Sequence, residues 1–269
     1  MDPTKILDAF RLDGRVALVT GGSRGLGRAM ASALAGAGAD VAIAGRELQT
    51  LEPVAAELRE ATGCRILPVQ LDVAEVDAHA AALEKVREGL GPVDILVNNA
   101  GMNIRRDTLD FTPEDWDRVM DTNLRGTFFL TLAVVREMIA RGEGGKVLNI
   151  SSMTAFLGVP TTPAYTASKA SLQQLTRLWA VEWAEHNIQV NAIAPGWITT
   201  EMTRALKEAE HLQSRHRWII ARTPAGRFGE PDELAGAAVF LCSPAAGFVT
   251  GQVLAVDGGI VAGSDWRKG

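Results

Sequence analysis

The chain alternates short, almost wholly apolar runs with longer amphipathic ones. The short runs are Arg15–Thr20, Asp40–Ala44, Ile66–Leu71, Ile95–Val97, Lys146–Ile150, Gln189–Ile193 and Val253–Val256. Several are apolar at successive positions, as expected of parallel strands covered on both faces. Between them lie Leu26–Ala37, Glu47–Ala61, Glu75–Leu90, Leu124–Arg141 and Tyr165–His186, rich in Ala, Leu, Glu and Arg and read as helices. Thr112-Pro113-Glu114-Asp115 adds an N-cap followed by proline at the first helical position, opening one more helix. Strand–helix alternation predicts right-handed crossovers and an α/β fold. The expected architecture is a doubly wound parallel sheet of seven strands with helices on both faces, in a single domain over residues 1–269. Glu201–Ile220 breaks the pattern, being helical in composition but polar. An insertion at about 199–222 would sit over the carboxyl ends of the strands, where open α/β sheets bind ligands. It is expected to be a lid; the alternative is a surface helix without function.

Composition narrows the classes. With 47% hydrophobic and 22% charged residues, the 269-residue chain is that of an ordinary globular enzyme and not a disordered one. Its net charge of −5 offers no global field for nucleic acid or anionic lipid. Cys64 and Cys242 are too few and too far apart for a disulfide framework. His79, His186, His211 and His216 are dispersed, so no metal site is expected. The first residues lack the layout of a signal peptide, and no run approaches a bilayer span. A cytoplasmic protein acting on a small molecule is the expectation.

Two stretches carry chemistry. The first strand runs into Gly21-Gly22-Ser23-Arg24-Gly25-Leu26-Gly27 and then a helix. Such glycines admit positive φ and let backbone N–H groups approach a pyrophosphate, and the helix N-terminus adds partial positive charge. A carboxylate at the tip of the second strand would bind a ribose 2′-OH and select NAD. Here that strand ends in Gly45-Arg46. Arg46, with Arg24 closing from the glycine loop, suits a 2′-phosphate, so NADP(H) is favoured over NAD(H). The alternative for both is an exposed surface arginine.

The second stretch is Tyr165-Thr-Ala-Ser-Lys169, which contains the only tyrosine in the chain. Residues four apart share a helical face, so the ammonium lies near the phenol. A free phenol titrates near ~10 and needs about 4 kcal/mol of phenolate stabilisation to act near pH 7. A core tyrosine beside a surface lysine would give the same pair, but other residues converge on it. One strand ends in Asn149-Ile150-Ser151-Ser152, its predecessor in Asn98-Asn99-Ala100-Gly101, and Asn123 follows.

Taken in order, Thr20-Gly21-x-x-x-Gly25-x-Gly27, Asp72-Val73, Asn98-Asn99-Ala100-Gly101, Asn123, Ser152, Tyr165-x-x-x-Lys169 and Pro195-Gly196-x-x-x-Thr200 resemble the short-chain dehydrogenase/reductase family over nearly the whole chain. The resemblance implies a Rossmann-type fold and a catalytic set of Asn123, Ser152, Tyr165 and Lys169. Tyr165 would move the proton, and Lys169 would lower its pKa and bind the nicotinamide ribose. Ser152, thirteen residues before the tyrosine, would orient the carbonyl, and Asn123 would hold a water serving Lys169. Cofactor contacts implied are Gly21, Ser23, Arg24, Gly25, Leu26, Gly27, Arg46, Asp72, Val73, Asn99, Ala100, Gly101, Tyr165, Lys169, Pro195, Gly196, Ile198 and Thr200. A homotetramer or homodimer built on long helices is the family tendency.

For the substrate, Asn99 to Arg106, Arg222 to Arg227 and Val256 to Gly259 are similar to the gluconate 5-dehydrogenase and 2-deoxygluconate 3-dehydrogenase branch. Arg105 or Arg106 could then fork onto a substrate carboxylate; otherwise they are solvated loop charges. A 3-oxoacyl thioester is the rival substrate class. A catalytically silent NADPH-binding sensor or scaffold is the non-enzyme alternative, against which stands the retention of both Tyr165 and Lys169.

Overall fold

Each apolar run of the sequence is a strand in the computed structural model, which describes residues 3–263. They are β1 (Val16–Thr20), β2 (Asp40–Gly45), β3 (Ile66–Gln70), β4 (Ile95–Asn98), β5 (Gly145–Ile150), β6 (Ile188–Pro195) and β7 (Val253–Val256). They form one seven-stranded sheet in the order β3-β2-β1-β4-β5-β6-β7, parallel throughout. Strand order reverses between β1 and β4, and the crevice at such a reversal, outside the strands' carboxyl ends, is where open sheets take ligands. Thr20 and Asn98 end the two strands that flank it.

Two apolar layers cover the sheet. One holds α1 (Gly25–Gly36), α2 (Leu48–Thr62) and α9 (Ala235–Cys242), through Met30, Leu34, Leu51, Leu58, Ala238 and Leu241. The other holds α3 (His79–Gly89), α5 (Thr127–Arg141) and α6 (Pro163–Glu182), through Leu83, Val86, Leu130, Met138, Leu172 and Trp179. Helix α4 (Pro113–Met120) opens as its sequence predicts, the Thr112 side chain accepting the Asp115 N–H at 3.2 Å. After β6 come α7 (Glu201–Glu208) and α8 (Gln213–Arg222), packed on a third, small cluster of Met153, Trp197, Leu206, Ile219 and Phe228.

Two features depart from the sequence reading. Helix α9 was not anticipated: Ala-Gly-Ala-Ala-Val-Phe-Leu-Cys is apolar on every side, so no amphipathic period marks it. The helix expected from Leu124 instead continues α4 through a π-turn, Asp121–Gly126, into α5. The wider turn brings Gly126 onto the Val73 carbonyl, which a Cβ there would meet at 2.0 Å.

A buried polar ladder joins the layers. Asn98 donates to Thr131 Oγ1 at 2.8 Å and to Asn149 Oδ1 at 2.9 Å, and Asn149 donates to Thr176 Oγ1 at 2.9 Å. It pins α5 and α6 to the ends of β4 and β5. Removing a rung strands a buried amide, at a cost of about 1–3 kcal/mol.

Candidate active site

The glycine loop is built by close packing. Gly21 and Gly25 have φ of +67° and +53°, where side chains are strained. A Cβ on Gly27 would lie 2.1 Å from the Gly21 carbonyl, so only glycine lets α1 start against the loop. Asn99 Nδ2 donates to the Thr20 and Gly21 carbonyls at 2.8 and 3.2 Å, while Thr20 Oγ1 accepts the N–H groups of Asn99 and Ala100. The first turn of α1 has neither a side-chain cap nor an acidic residue, which leaves its N–H groups open to an anion. Ser23 and Leu26 are partly buried in this loop, and Leu26 packs on the core.

Around it stand the other expected contacts. Arg46 is exposed at the tip of β2 and makes no ion pair among the described residues. Arg24, by contrast, pairs with Glu201 of α7 at 2.5 Å. Asp72 Oδ1 accepts the Ala74 N–H at 3.0 Å, and Val73 is buried with its carbonyl on His79 Nε2 at 2.9 Å. Gly196, after Pro195, lies so close to Asp257 that a Cβ would meet its Cα at 2.6 Å. Ile198 is buried, and Thr200 reaches within 3.6 Å of where a Cβ on Gly25 would be.

The groups expected to handle protons meet at the carboxyl end of β5. Tyr165 and Lys169 stand on the first two turns of α6, and Ser152 follows β5. Burial raises the Tyr165 phenol above its ordinary value, opposed by a hydrogen bond with Ser152 and by the positive charge of Arg105. Lys169 is buried, and burial lowers its pKa to about 8. Its Nζ donates to the Ile150 carbonyl at 2.7 Å and lies 5.7 Å from the Tyr165 ring centre. Lys169 is turned toward the end of β5, and Arg105 adds a positive charge that lowers the phenol's pKa.

Asn123, fully buried, sits inside the π-turn. It accepts the Met102 N–H at 2.8 Å and donates to the Met102 carbonyl at 2.9 Å and to Ser168 Oγ at 3.2 Å. Ser168 in turn donates to the Tyr165 carbonyl at 2.8 Å. This chain fixes the loop after β4 against the start of α6.

The two loop arginines divide. Arg106 forms an ion pair with Asp115 at 2.7 Å, and its N–H bonds the Thr161 carbonyl. Arg105 is exposed on the loop after β4, and its pKa is lowered by desolvation and by the charge of Arg215 on α8. Sequence reasoning missed Arg215, Trp197, Trp218 and Thr161, which line a cavity of about 810 Å³ next to Met153. Thr161 has a φ of +68°, a strained state for a β-branched residue and one that no local sequence signal announces.

A doubly wound sheet with an anion-binding glycine loop beside a Ser-Tyr-Lys cluster defines a dinucleotide-dependent oxidoreductase. Comparison with known proteins agrees. A family model described as enoyl-(acyl carrier protein) reductase matches residues 21–261. The 2-dehydro-3-deoxy-D-gluconate 5-dehydrogenase of Dickeya dadantii is 46% identical over 96% of this chain and 99% of its own length. The gluconate 5-dehydrogenase of Gluconobacter oxydans is 44% identical over 94% and 97%. A crystal structure of a gluconate 5-dehydrogenase from Burkholderia cenocepacia, in complex with NADP and tartrate, is 44% identical, covers 95% of this chain and 98% of that one, and superposes with a TM-score of 0.89. The chain belongs to the short-chain dehydrogenase/reductase family and is an oxidoreductase of CH–OH groups. Among its described residues, no helix is long and apolar enough to cross a membrane.

Proposed function

We propose that the chain interconverts a hydroxyl and a keto group on a sugar acid with NADP(H), and that Tyr165 moves the proton. The observation that carries this reading is the hydrogen bond between Ser152 and the Tyr165 phenol at the carboxyl end of β5, with Lys169 one turn further along α6. The loop fits the cofactor: its glycines leave a cradle without Cβ atoms, and the start of α1 presents uncapped N–H groups. Gly21 to Gly27 would hold the pyrophosphate, Asp72 and Val73 the adenine side, and Asn99 to Gly101 with Pro195 to Thr200 the nicotinamide side. Arg46 would meet the 2′-phosphate, and Arg24 could join it by leaving Glu201. When bound, the nicotinamide supplies or accepts the hydride.

The protein orients and moves protons. Ser152 holds the substrate oxygen against the Tyr165 hydroxyl, which donates its proton to a forming alkoxide. Arg105 opposes the cost of phenolate in a buried site. Lys169, with its pKa near 8, accepts or returns a proton close to neutrality. Asn123 acts by positioning, since both ends of its amide are committed to the Met102 backbone and Ser168. Helices α7 and α8 serve as the lid over the cavity, within one domain that binds both cofactor and substrate.

The sugar-acid substrate is supported by the names of the relatives, one of which has been crystallised with a hydroxy-dicarboxylate. We also infer assembly through α5 and α6, whose Phe129, Leu178 and Val181 are exposed. NADPH consumption with 5-ketogluconate and with an acetoacetyl thioester, side by side, tests the substrate. Turnover of the keto acid alone is expected; turnover of the thioester alone would overturn the sugar-acid reading.

A further inference from the structure

An ion pair joins the glycine loop to the lid. Arg24 Nη1 donates to Glu201 Oε2 at 2.5 Å, with both side chains more than half exposed. Arg24 stands at the N-cap of α1, where Ser, Thr, Asp and Asn are preferred, and it makes no capping bond. Its side chain is committed to the lid instead. Glu201 opens α7 directly after Thr200, whose Cγ2 lies 3.6 Å from where a Cβ on Gly25 would be. The segment after β6 therefore crosses the ends of β5 and β4 to reach the loop after β1, as the strand order requires. The expected site of a 2′-phosphate lies the other way. Arg46 follows β2, on the opposite side of β1, and makes no ion pair among the described residues. The glycine loop borders that strand too, since the Gly22 N–H bonds the Ala44 carbonyl at 3.1 Å. Arg24 thus has an anionic partner open to it on each side of β1, and one guanidinium to give.

We propose that Arg24 is a two-position switch and that Glu201, its partner in the cofactor-free protein, is a cofactor-selectivity residue. The proposal rests on the reading that Arg46 and Arg24 meet the 2′-phosphate of NADP(H). Without cofactor, Glu201 stands in for that phosphate and ties α7 to the glycine loop. A phosphate monoester carries about two negative charges near neutral pH, against one on a carboxylate. It draws Arg24 back across β1 to join Arg46, and Glu201 is left without its partner. NAD(H) brings no anion to that place, so the pair stays closed. Binding NADP(H) therefore includes the cost of breaking the pair, and binding NAD(H) does not. Glu201 moderates a preference that two unpaired arginines would make stronger, and the 2′-phosphate frees the first turn of the lid.

Adenosine 2′,5′-bisphosphate and 5′-AMP differ only in the 2′-phosphate and involve no hydride chemistry. Their dissociation constants, with those of NADPH and NADH, are measured calorimetrically in the wild type, Glu201→Gln, Arg24→Gln and the double variant. Glu201→Gln is expected to tighten the bisphosphate and NADPH about 2- to 5-fold, the worth of an exposed ion pair, and to leave AMP and NADH unchanged. Arg24→Gln should weaken the bisphosphate roughly 10-fold. Adding Glu201→Gln to it should change nothing further, because the carboxylate acts only through Arg24. Glu57→Gln, which removes a similarly exposed pair with Arg28 at 2.5 Å, should alter none of the four. Amide exchange in α7 should speed up with the bisphosphate and not with AMP. Thermal melting reports whether each variant is folded. Bisphosphate affinity unchanged in Glu201→Gln would overturn the switch. So would a weakening of all four ligands together, the result expected if the pair were a strap across the crevice. A wild type that binds the bisphosphate no better than AMP would overturn the 2′-phosphate reading itself. A preference lost in Arg24→Gln but unaltered in Glu201→Gln would overturn the switch alone.

Discussion

The crevice between β1 and β4 and the cavity under α7 and α8 are adjacent, yet they are made differently. In the crevice most side chains are committed: Asn99 to the glycine-loop carbonyls, Thr20 to two N–H groups, and the Asn98 and Asn149 amide nitrogens to the buried ladder, with Asn98 Oδ1 buried without a hydrogen bond. Under the lid, groups are left over. Among the described residues, Arg105 and Arg215 have no carboxylate partner, and Trp197 Nε1 and His216 Nε2 are buried without a hydrogen bond. Thr161, in the same wall, holds a left-handed backbone. Folded proteins satisfy buried polar groups almost everywhere, so the unsatisfied ones in this wall stand out. In the crevice folding leaves backbone N–H groups open at the start of α1, whereas under the lid it is side chains that are left over.

The largest effect should come where the two regions meet. Tyr165→Phe is expected to lower kcat by about 10³-fold or more while NADPH binding, read by fluorescence titration, stays near normal. Substantial turnover in that variant would dissolve the comparison, since the chemistry would then lie elsewhere. Next in size is Gly27→Ala. Its Cβ would fall 2.1 Å from the Gly21 carbonyl, within backbone that cannot yield. We expect a stability loss of about 2–3 kcal/mol and a large loss of cofactor affinity. Leu206→Ala, in the small lid cluster, should move the melting temperature less and KM more. Equal losses in the two variants would mean that the lid is as much a part of the core as the glycine loop.

Lys169 sharpens the contrast through pH. Its native pKa of about 8 lies below the ordinary 10.5. Between these values the unfolded chain holds a proton that the folded one has released, so folded stability rises with pH across that window. Below pH 8 both states are protonated and the full burial cost is present, about 3 kcal/mol. Lys169→Met should therefore be inactive yet more stable at pH 7, by about 1–2 kcal/mol once the lost bond to Ile150 is counted. Urea unfolding at pH 7 and pH 10 reads this: the advantage should fade by pH 10, and one that does not would show that the ammonium is not the source. Smallest is Arg46→Asp, expected to shift the NADPH/NADH ratio of kcat/KM by about 10-fold toward NADH. An unchanged ratio would assign 2′-phosphate recognition away from β2.

The same division explains what could be read in advance. All seven strands, the N-cap at Thr112 and the phosphate loop were legible because backbone geometry dictates them locally, through glycines, β-branched runs and a proline. That Tyr165 and Lys169 would share one turn of a helix was legible because i and i+4 lie on one face. Arg215 was not, for its place in the cavity wall depends on the fold that sets α8 beside Met153 and Trp197. Thr161 adopts its left-handed backbone in the loop wall and not through local preference. Helix α9 was hidden by being apolar on all sides, and the π-turn by the fact that Gly126 must meet Val73 across the molecule.

Tyr165 is the chain's only tyrosine, and this makes the protein its own instrument. Any tyrosinate absorbance, and any resonance from isotopically labelled tyrosine, arises from the one hydroxyl that is hydrogen-bonded with Ser152. Its ionisation can be followed optically in the unmodified enzyme, with cofactor, with tartrate or with neither. The six tryptophans, Trp197 and Trp218 among them, would report the neighbouring wall in a separate channel. Occupancy of the cavity and the state of the phenol thus become two independent observables of a single sample.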